Sequence, residues 1–339
     1  MHRTEAAAET ARLTQTFLKD LHVSQPENTG TFHVCRLGHA ILLTLLLVLF
    51  LPSRSAQSEQ IRVAHAQGET VLPGKPAKVL TFDLAALETL DAVGIEVAGV
   101  VDSHIPAHLA KYKDNKYLKI GSLFEPDYET INAAEPDLII VGGRSSPKYK
   151  ELSRIAPTID LTIDDAAYLK SAFRNARTLG KIFSKETEIE ARIAKLEESV
   201  RAVREQSRTA GRGLIIMTTG GRISAYGPQS RFGAIHADFG IAPAVETLDK
   251  AIHGQGVSFE LILQANPDWL FVVDRDAAIG QSGSPAARLL DNPLIGRTTA
   301  WKKGRVVYLN PVRWYLIGGG LVSLQANVDQ IAEVLNAMP

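Results

Sequence analysis

Two arginines stand at the same register of two related segments. Ile131–Arg144 reads INAAEPDLIIVGGR and Ile262–Arg275 reads ILQANPDWLFVVDR. Each is a helix end, a Pro-Asp turn, a continuous apolar run of strand type, and an arginine eight residues after the proline. Each also follows a similar helix start, Tyr128-Glu129 and Phe259-Glu260. A guanidinium is always charged and offers a planar fork of donors suited to oxyanions. The repeat predicts Arg144 and Arg275 just past the carboxyl ends of equivalent strands, the edge where open parallel sheets bind ligands. Either arginine alone could merely cap a strand end in solvent. The shared register argues that both face one cleft.

Three further segments point the same way. Ser224–Gly233 (SAYGPQSRFG) reads as a turn-rich loop in which Pro228 and the flanking glycines fix the backbone and present Arg231. Ala251–Glu260 (AIHGQGVSFE) sets His253 in a glycine-bracketed loop before a helix. Asn310–Gly320 (NPVRWYLIGGG) carries Trp314 and Tyr315 between a strand and a helix opened by three glycines, with Arg313 as an additional cation of undetermined direction. A lone histidine or tyrosine is more often structural than functional, and for Tyr315 the residues alone leave both readings open.

Enzyme signatures are missing. The chain has no P-loop, and Gly142–Arg144 lacks the dinucleotide pattern. His104 and His108 are interrupted by Pro106 with no HExxH glutamate, and Ser230, His236 and Asp238 sit too close on one segment to recommend a triad.

The elements that must position these side chains are α/β in type. Short β-branched runs alternate with amphipathic stretches, with strands predicted at Lys78–Phe82, Val97–Val101, Leu138–Val141, Gly213–Met217, Trp269–Val273 and Arg305–Leu309. Between the two groups, Ile189, Ile193, Leu196, Val200 and Val203 recur at helical spacing among Glu, Lys and Arg, predicting one long helix over Ser184–Thr209. The expected architecture is two α/β lobes, 75–183 and 210–339, joined by a backbone helix over 184–209, with the ligand cleft between the lobes.

The first 58 residues read as an export signal with an extended n-region. Arg36–His39 precede the apolar run Ala40–Leu51, too short to span a bilayer, and Ala56–Ser58 follows as a cleavage site, with Ala64–Ala66 a second candidate. Cys35, the only cysteine of the chain, lies before the apolar run and is not placed to carry a lipid. Cutting after Ser58 leaves 32 basic and 33 acidic residues and no thiol. A neutral balance supplies no field for nucleic acid or an anionic membrane. The expectation is an exported, unlipidated, monomeric protein.

At this point the chain resembles the periplasmic solute-binding proteins of ABC-type iron importers, in the helical-backbone class, and within it the binders of ferric catecholate siderophores. The segments Thr81–Gly94 (TFDLAALETLDAVG), EPDLIIVGGR, ISAYGPQSRFG, HGQGVSFELIL, NPDWLFVVDR and WYLIGGGL carry the resemblance, in order, over essentially everything after the leader. It implies that Arg144, Arg231 and Arg275 hold catecholate oxygens, with Trp314 beside them. It implies that His253 and Tyr315 complete the iron sphere when the siderophore supplies only four donors. It also implies that Glu88 and Glu260, one per lobe, dock to an inner-membrane permease; a glutamate favoured by the helix macrodipole is the equally weighted alternative for both. The chemistry is consistent: ferric iron prefers hard oxygen donors, and three guanidiniums balance a tris-catecholate's three negative charges. No intrinsic cofactor is implied, since Fe(III) travels as cargo within the siderophore. The rivals are a haem receptor of the same architecture and a siderophore-processing enzyme, which would be told apart by a Soret band and by ligand turnover.

Overall fold

A computed structural model describes residues 60–248, 254–281 and 285–337. The first sheet is built from β3 (Val79–Thr81), β4 (Gly99–Val100), β5 (Leu118–Lys119), β6 (Leu138–Val141) and β7 (Thr158–Asp160), in the order β5-β4-β3-β6-β7. Every pairing in it is parallel. All four residues of β6 are fully buried, the reason this strand reads as an unbroken apolar run: helices and loops cover both of its faces.

Ahead of this sheet, β1 (Ile61–His65) and β2 (Gly68–Leu72) form an antiparallel hairpin. It is tied to β7 by Ala66 N donating to the Asp160 carbonyl at 3.0 Å and the Thr70 hydroxyl donating to the Thr158 carbonyl at 2.7 Å. The sequence did not suggest this hairpin. It also counts against the second cleavage candidate, because Ala64 and His65 pair with Glu69 and Gly68 and cutting there would strip β1 from β2. The apolar run and the site at Ala56–Ser58 lie outside the described residues.

The second sheet contains β8 (Arg212–Thr219), β9 (Arg222–Tyr226), β10 (Ala242–Pro243), β11 (Gln255–Gly256), β12 (Trp269–Asp274) and β13 (Val306–Tyr308). Its order is β11-β9-β8-β12-β13, with β10 also on β8. The centre β8-β12-β13 is parallel, and β9 folds back antiparallel on β8. Ser224–Tyr226, expected in a loop, therefore belongs to a strand.

The helices that matter to the cleft are α1 (Leu84–Ala92), α2 (Tyr128–Ala134), α3 (Tyr168–Phe183), α4 (Glu186–Ser207), α5 (Phe259–Ala265) and α6 (Leu321–Asn336). The internal echo of the sequence is repeated in the hydrogen bonds. Helices α2 and α5 open on the side-chain caps Asp127 and Ser258 and close on left-handed residues, Glu135 (φ 48°) and Asn266 (φ 39°). The Asp after each proline then accepts from the start of the neighbouring strand: Asp137 Oδ2 from Lys78 N at 2.7 Å, and Asp268 Oδ2 from Arg212 N at 2.9 Å.

Helix α4 lies between the two sheets in the chain, and Ile189, Ile193, Leu196, Val200 and Val203 are its buried stripe. They share a hydrophobic cluster with Leu324, Val328, Ile331 and Leu335 of α6. Burial of each such side chain is worth about 1.5–3 kcal/mol. Among the described residues no helix is long and apolar enough to cross a membrane.

Candidate ligand-binding cleft

A cleft of about 1520 Å³ is walled by residues of both sheets' surroundings, with Arg144 from one side and Arg231 and Arg275 from the other. Arg144 arrives there because β6 ends at Gly142, whose backbone lies so close to the Asp83 carboxylate that a Cβ would collide with it. Asp83 in turn caps α1, accepting from Ala86 N at 2.7 Å. Arg275 follows β12 directly, after the cap Asp274. Both arginines thus stand at carboxyl ends of equivalent strands. Arg231 sits in the turn after β9, where the Ser230 hydroxyl donates to the Gly227 carbonyl at 2.7 Å.

All three converge on Tyr315. The Tyr315 carbonyl accepts from Arg144 Nη2 at 2.8 Å and from Arg231 Nη2 at 2.9 Å. Its hydroxyl accepts from Arg275 Nε at 3.0 Å. The guanidinium carbons lie 5.0, 4.6 and 5.8 Å from the ring centroid for Arg144, Arg231 and Arg275, all within cation–π range. The tyrosine is presented by a wide π-type turn over Val312–Ile317, which Gly318 (φ 67°) ends before α6 begins.

Electrostatics follow from this packing. Burial pushes the Tyr315 phenol up, but the Arg275 hydrogen bond and the charges of all three arginines outweigh it, and the group lies below its ordinary value. Burial, with the like charge of Arg231, draws Arg144 down. Burial also lifts the cleft carboxyl of Asp83 to about 6 and raises Asp165, against the pull of Arg144 and Arg231 respectively. The site is an excess of guanidinium around a phenol whose ionised form those charges favour. It suits an oxyanion that displaces the tyrosine carbonyl from the forks, and a hard metal ion that accepts a phenolate oxygen. Among the described residues no group of three or more His, Asp or Glu side chains could hold a metal by itself.

The remaining sequence candidates fall out differently. Trp314 touches the cleft, but its indole is buried edge-on against Phe239 at 6.3 Å, making it a wall anchored in the core. Arg313 is not a cleft residue: its charge bears on His108 instead. His253 lies outside the described residues. His236 Nδ1 is engaged with the Ile241 carbonyl at 2.7 Å, and Ser230 with its own turn, so the three residues on that segment form no triad.

Glu88 requires correction. It sits in the middle of α1 rather than at its start and is 1% exposed, so it cannot present a charge to a partner. Its carboxylate accepts from Ser323 N at 2.9 Å and Ser323 Oγ at 2.6 Å and meets His108 Nε2 at 2.7 Å. It caps α6 from another helix, packed against Gly320, where a Cβ would collide. Glu260, by contrast, is exposed in the first turn of α5, and its carboxyl is held below the usual range by the Ser258 hydroxyl and a backbone amide. Its counterpart in the other lobe is Glu129, exposed in the first turn of α2. The sequence echo pairs these two, at Tyr128-Glu129 and Phe259-Glu260.

The chain is similar to known proteins. Residues 79–312 match the periplasmic binding protein family. A petrobactin-binding protein of Bacillus subtilis is 42% identical over 284 residues, 82% of this chain and 89% of that protein, and its crystal structure superposes with a TM-score of 0.80. A ferric-anguibactin-binding protein of Vibrio anguillarum is 33% identical over 281 residues, 80% of this chain and 86% of the relative. The crystal structure of a periplasmic catecholate-siderophore binding protein from Vibrio cholerae covers 81% of this chain and all of its own, at 35% identity and a TM-score of 0.78. With its two sheets, the α4 connection and the arginine-lined cleft, the chain belongs to the periplasmic binding protein family.

Proposed function

We propose that this protein is the extracytoplasmic receptor of an ABC-type iron importer and that it binds a ferric catecholate siderophore without chemically altering it. The observation that carries this reading is the convergence of Arg144, Arg231 and Arg275 on Tyr315. Three guanidiniums match the charge of a ferric tris-catecholate, and the acidified phenol of Tyr315, together with His253, supplies the two missing donors when only two catecholates are present. The names of the relatives, which bind petrobactin, anguibactin and catecholate siderophores, support the same class of cargo.

The receptor is exported by a leader over 1–58, unlipidated and monomeric, with lobes at 75–183 and 210–339 about the helix region 184–209. Glu129 and Glu260, at equivalent exposed helix starts, are the acids that meet the basic surface of the permease. Titration with ferric bis- and tris-catecholates, followed by tryptophan quenching and the visible charge-transfer band, tests the reading. Saturable binding with the band retained and the ligand recovered intact is expected. A sharp Soret band with haem and indifference to ferric catecholates would replace it with haem transport, and consumption of the ligand would replace it with an enzyme.

A further inference from the structure

Phe124 is a large apolar side chain left 56% exposed, and it lines the cleft. Exposed apolar residues are common and need no explanation when their loops are free to hide them. This loop is not free. Ser122 Oγ accepts from both Phe124 N at 3.2 Å and Glu125 N at 3.0 Å, while Ser122 N donates to the Glu125 carbonyl at 2.9 Å. Gly121, at φ 105°, bridges to Pro126, and Asp127 N donates to the Ile120 carbonyl at 2.9 Å. The backbone that carries the ring is therefore fixed by a closed hydrogen-bonded turn, with its neighbour Leu123 anchoring the loop in the core and the ring itself left largely exposed.

The same loop is tied to the anion site. Glu125 Oε2 meets Lys148 Nζ at 2.7 Å, and Lys148 ends the short helical segment Gly143–Lys148 that carries Arg144. Pro147 of that segment also lines the cleft. Phe124 and Arg144 are thus held in one local framework. Val257 and Phe259 add further apolar side chains to the lining, beside Ser258 and Glu260. A ligand whose metal centre sits at the arginines shares the cleft with this exposed aromatic side chain.

We infer that Phe124 is a specificity-determining contact of the cleft, stacking on an aromatic ring of the iron-chelating ligand. The inference rests on the receptor reading above and sharpens it: the cleft selects aromatic chelating groups by a ring contact as well as by charge. With its backbone held by the turn, only the two side-chain torsions of the ring are ordered on binding, so the contact contributes affinity at a small ordering cost.

The test uses the full mature protein and one probe, the ferric complex of a synthetic bis-catecholamide on a flexible diamine. Phe124→Ala is expected to weaken binding about tenfold and Phe124→Leu by a smaller factor, since the leucine keeps apolar area but no ring. Phe124→Tyr and Phe124→Trp are expected to stay within about twofold of wild type, and all four variants to melt as wild type does, because the ring is not packed in the core. Wild-type binding with Phe124→Ala and Phe124→Leu unchanged would overturn the inference and leave the receptor reading standing. So would a loss of transport in cells with affinity intact, which would assign Phe124 to the permease face. Equal losses in Phe124→Tyr and Phe124→Ala would also overturn it, by showing that any change in the loop is harmful. No binding by the wild type would remove the receptor reading and this contact with it.

Discussion

Arg275 holds the Tyr315 hydroxyl by a single Nε donor at 3.0 Å while its Nη1 reaches Thr219 Oγ1 at 3.2 Å. A residue just past β12 and one in the turn after β13 are thereby locked together. The hydroxyl accepts this bond, so its negative form is favoured and its oxygen is directed by a fixed partner. Arg275→Gln should return the Tyr315 phenol toward its ordinary value. Ultraviolet titration, read as the difference from the Tyr315→Phe protein, should show the tyrosinate signal moving to higher pH; an unmoved signal would mean the hydrogen bond is absent in solution.

Tyr315→Phe separates coordination from packing. It should weaken four-donor bis-catecholate complexes clearly and shift their charge-transfer band, while six-donor tris-catecholates, already saturated, should bind nearly as wild type. Equal losses on both ligand classes with an unchanged band would take Tyr315 off the metal and leave the arginine site in place.

Each of Arg144→Ala, Arg231→Ala and Arg275→Ala should weaken ferric-catecholate binding. A charge-assisted hydrogen bond to a partly buried anion contributes about 1.5–3 kcal/mol, so a loss of roughly tenfold or more per arginine is expected. Neutral ferric hydroxamates should respond little to any of the three. Equilibrium titration of the panel decides it.

Glu88 and Glu260 should separate on stability and transport. Glu88→Ala leaves the amide and hydroxyl of Ser323 without their buried acceptor, a loss of about 2–4 kcal/mol, visible in denaturant unfolding. Glu129→Ala and Glu260→Ala remove exposed charges. Both should leave unfolding nearly unchanged and lower uptake in cells. Glu129→Ala should also leave ligand affinity unchanged, whereas Glu260→Ala, at a residue that lines the cleft, should lose far more in uptake than in affinity.

The Glu88 hydrogen bond holds the His108 imidazolium above its ordinary value, against desolvation and the charge of Arg313, with Asp91 adding to the upward pull. The stabilisation from this pair is fully present below the unfolded value of about 6.5 and is lost as pH rises through the higher folded value. Melting temperature followed across that window should fall in the wild type more than in His108→Gln.

Some of this was legible because local rules governed it. The stripe Ile189–Val203 has a helical period that only one buried face satisfies, and the Pro-Asp segments around Pro136 and Pro267 repeat the same cap, turn and strand chemistry. The Arg144 and Arg275 positions followed from that repeat. The hairpin over residues 61–72 was not legible, since its short, mostly exposed strands carry little periodic signal and hold their place through bonds to β7. Phe124 gave no signal at all, because nothing in a sequence says that an apolar residue will be left outside.

By itself the sequence determined the α/β class, the two related units, the long connecting helix and the shared register of Arg144 and Arg275, all of which depend on spacing along the chain. Arg231 joined them through its turn-rich loop and the family resemblance. The tertiary structure decided what those residues face. Glu88 looked like a helix-start acid and is a buried cap for α6. Arg313, whose direction the sequence left open, does not line the cleft and bears on His108. Tyr315, ambiguous as a letter, became the centre of the site once segments from residues 144, 231 and 275 closed around it. The physical reason is that burial and charge pairing are properties of the folded surroundings, supplied here by side chains up to 235 residues apart.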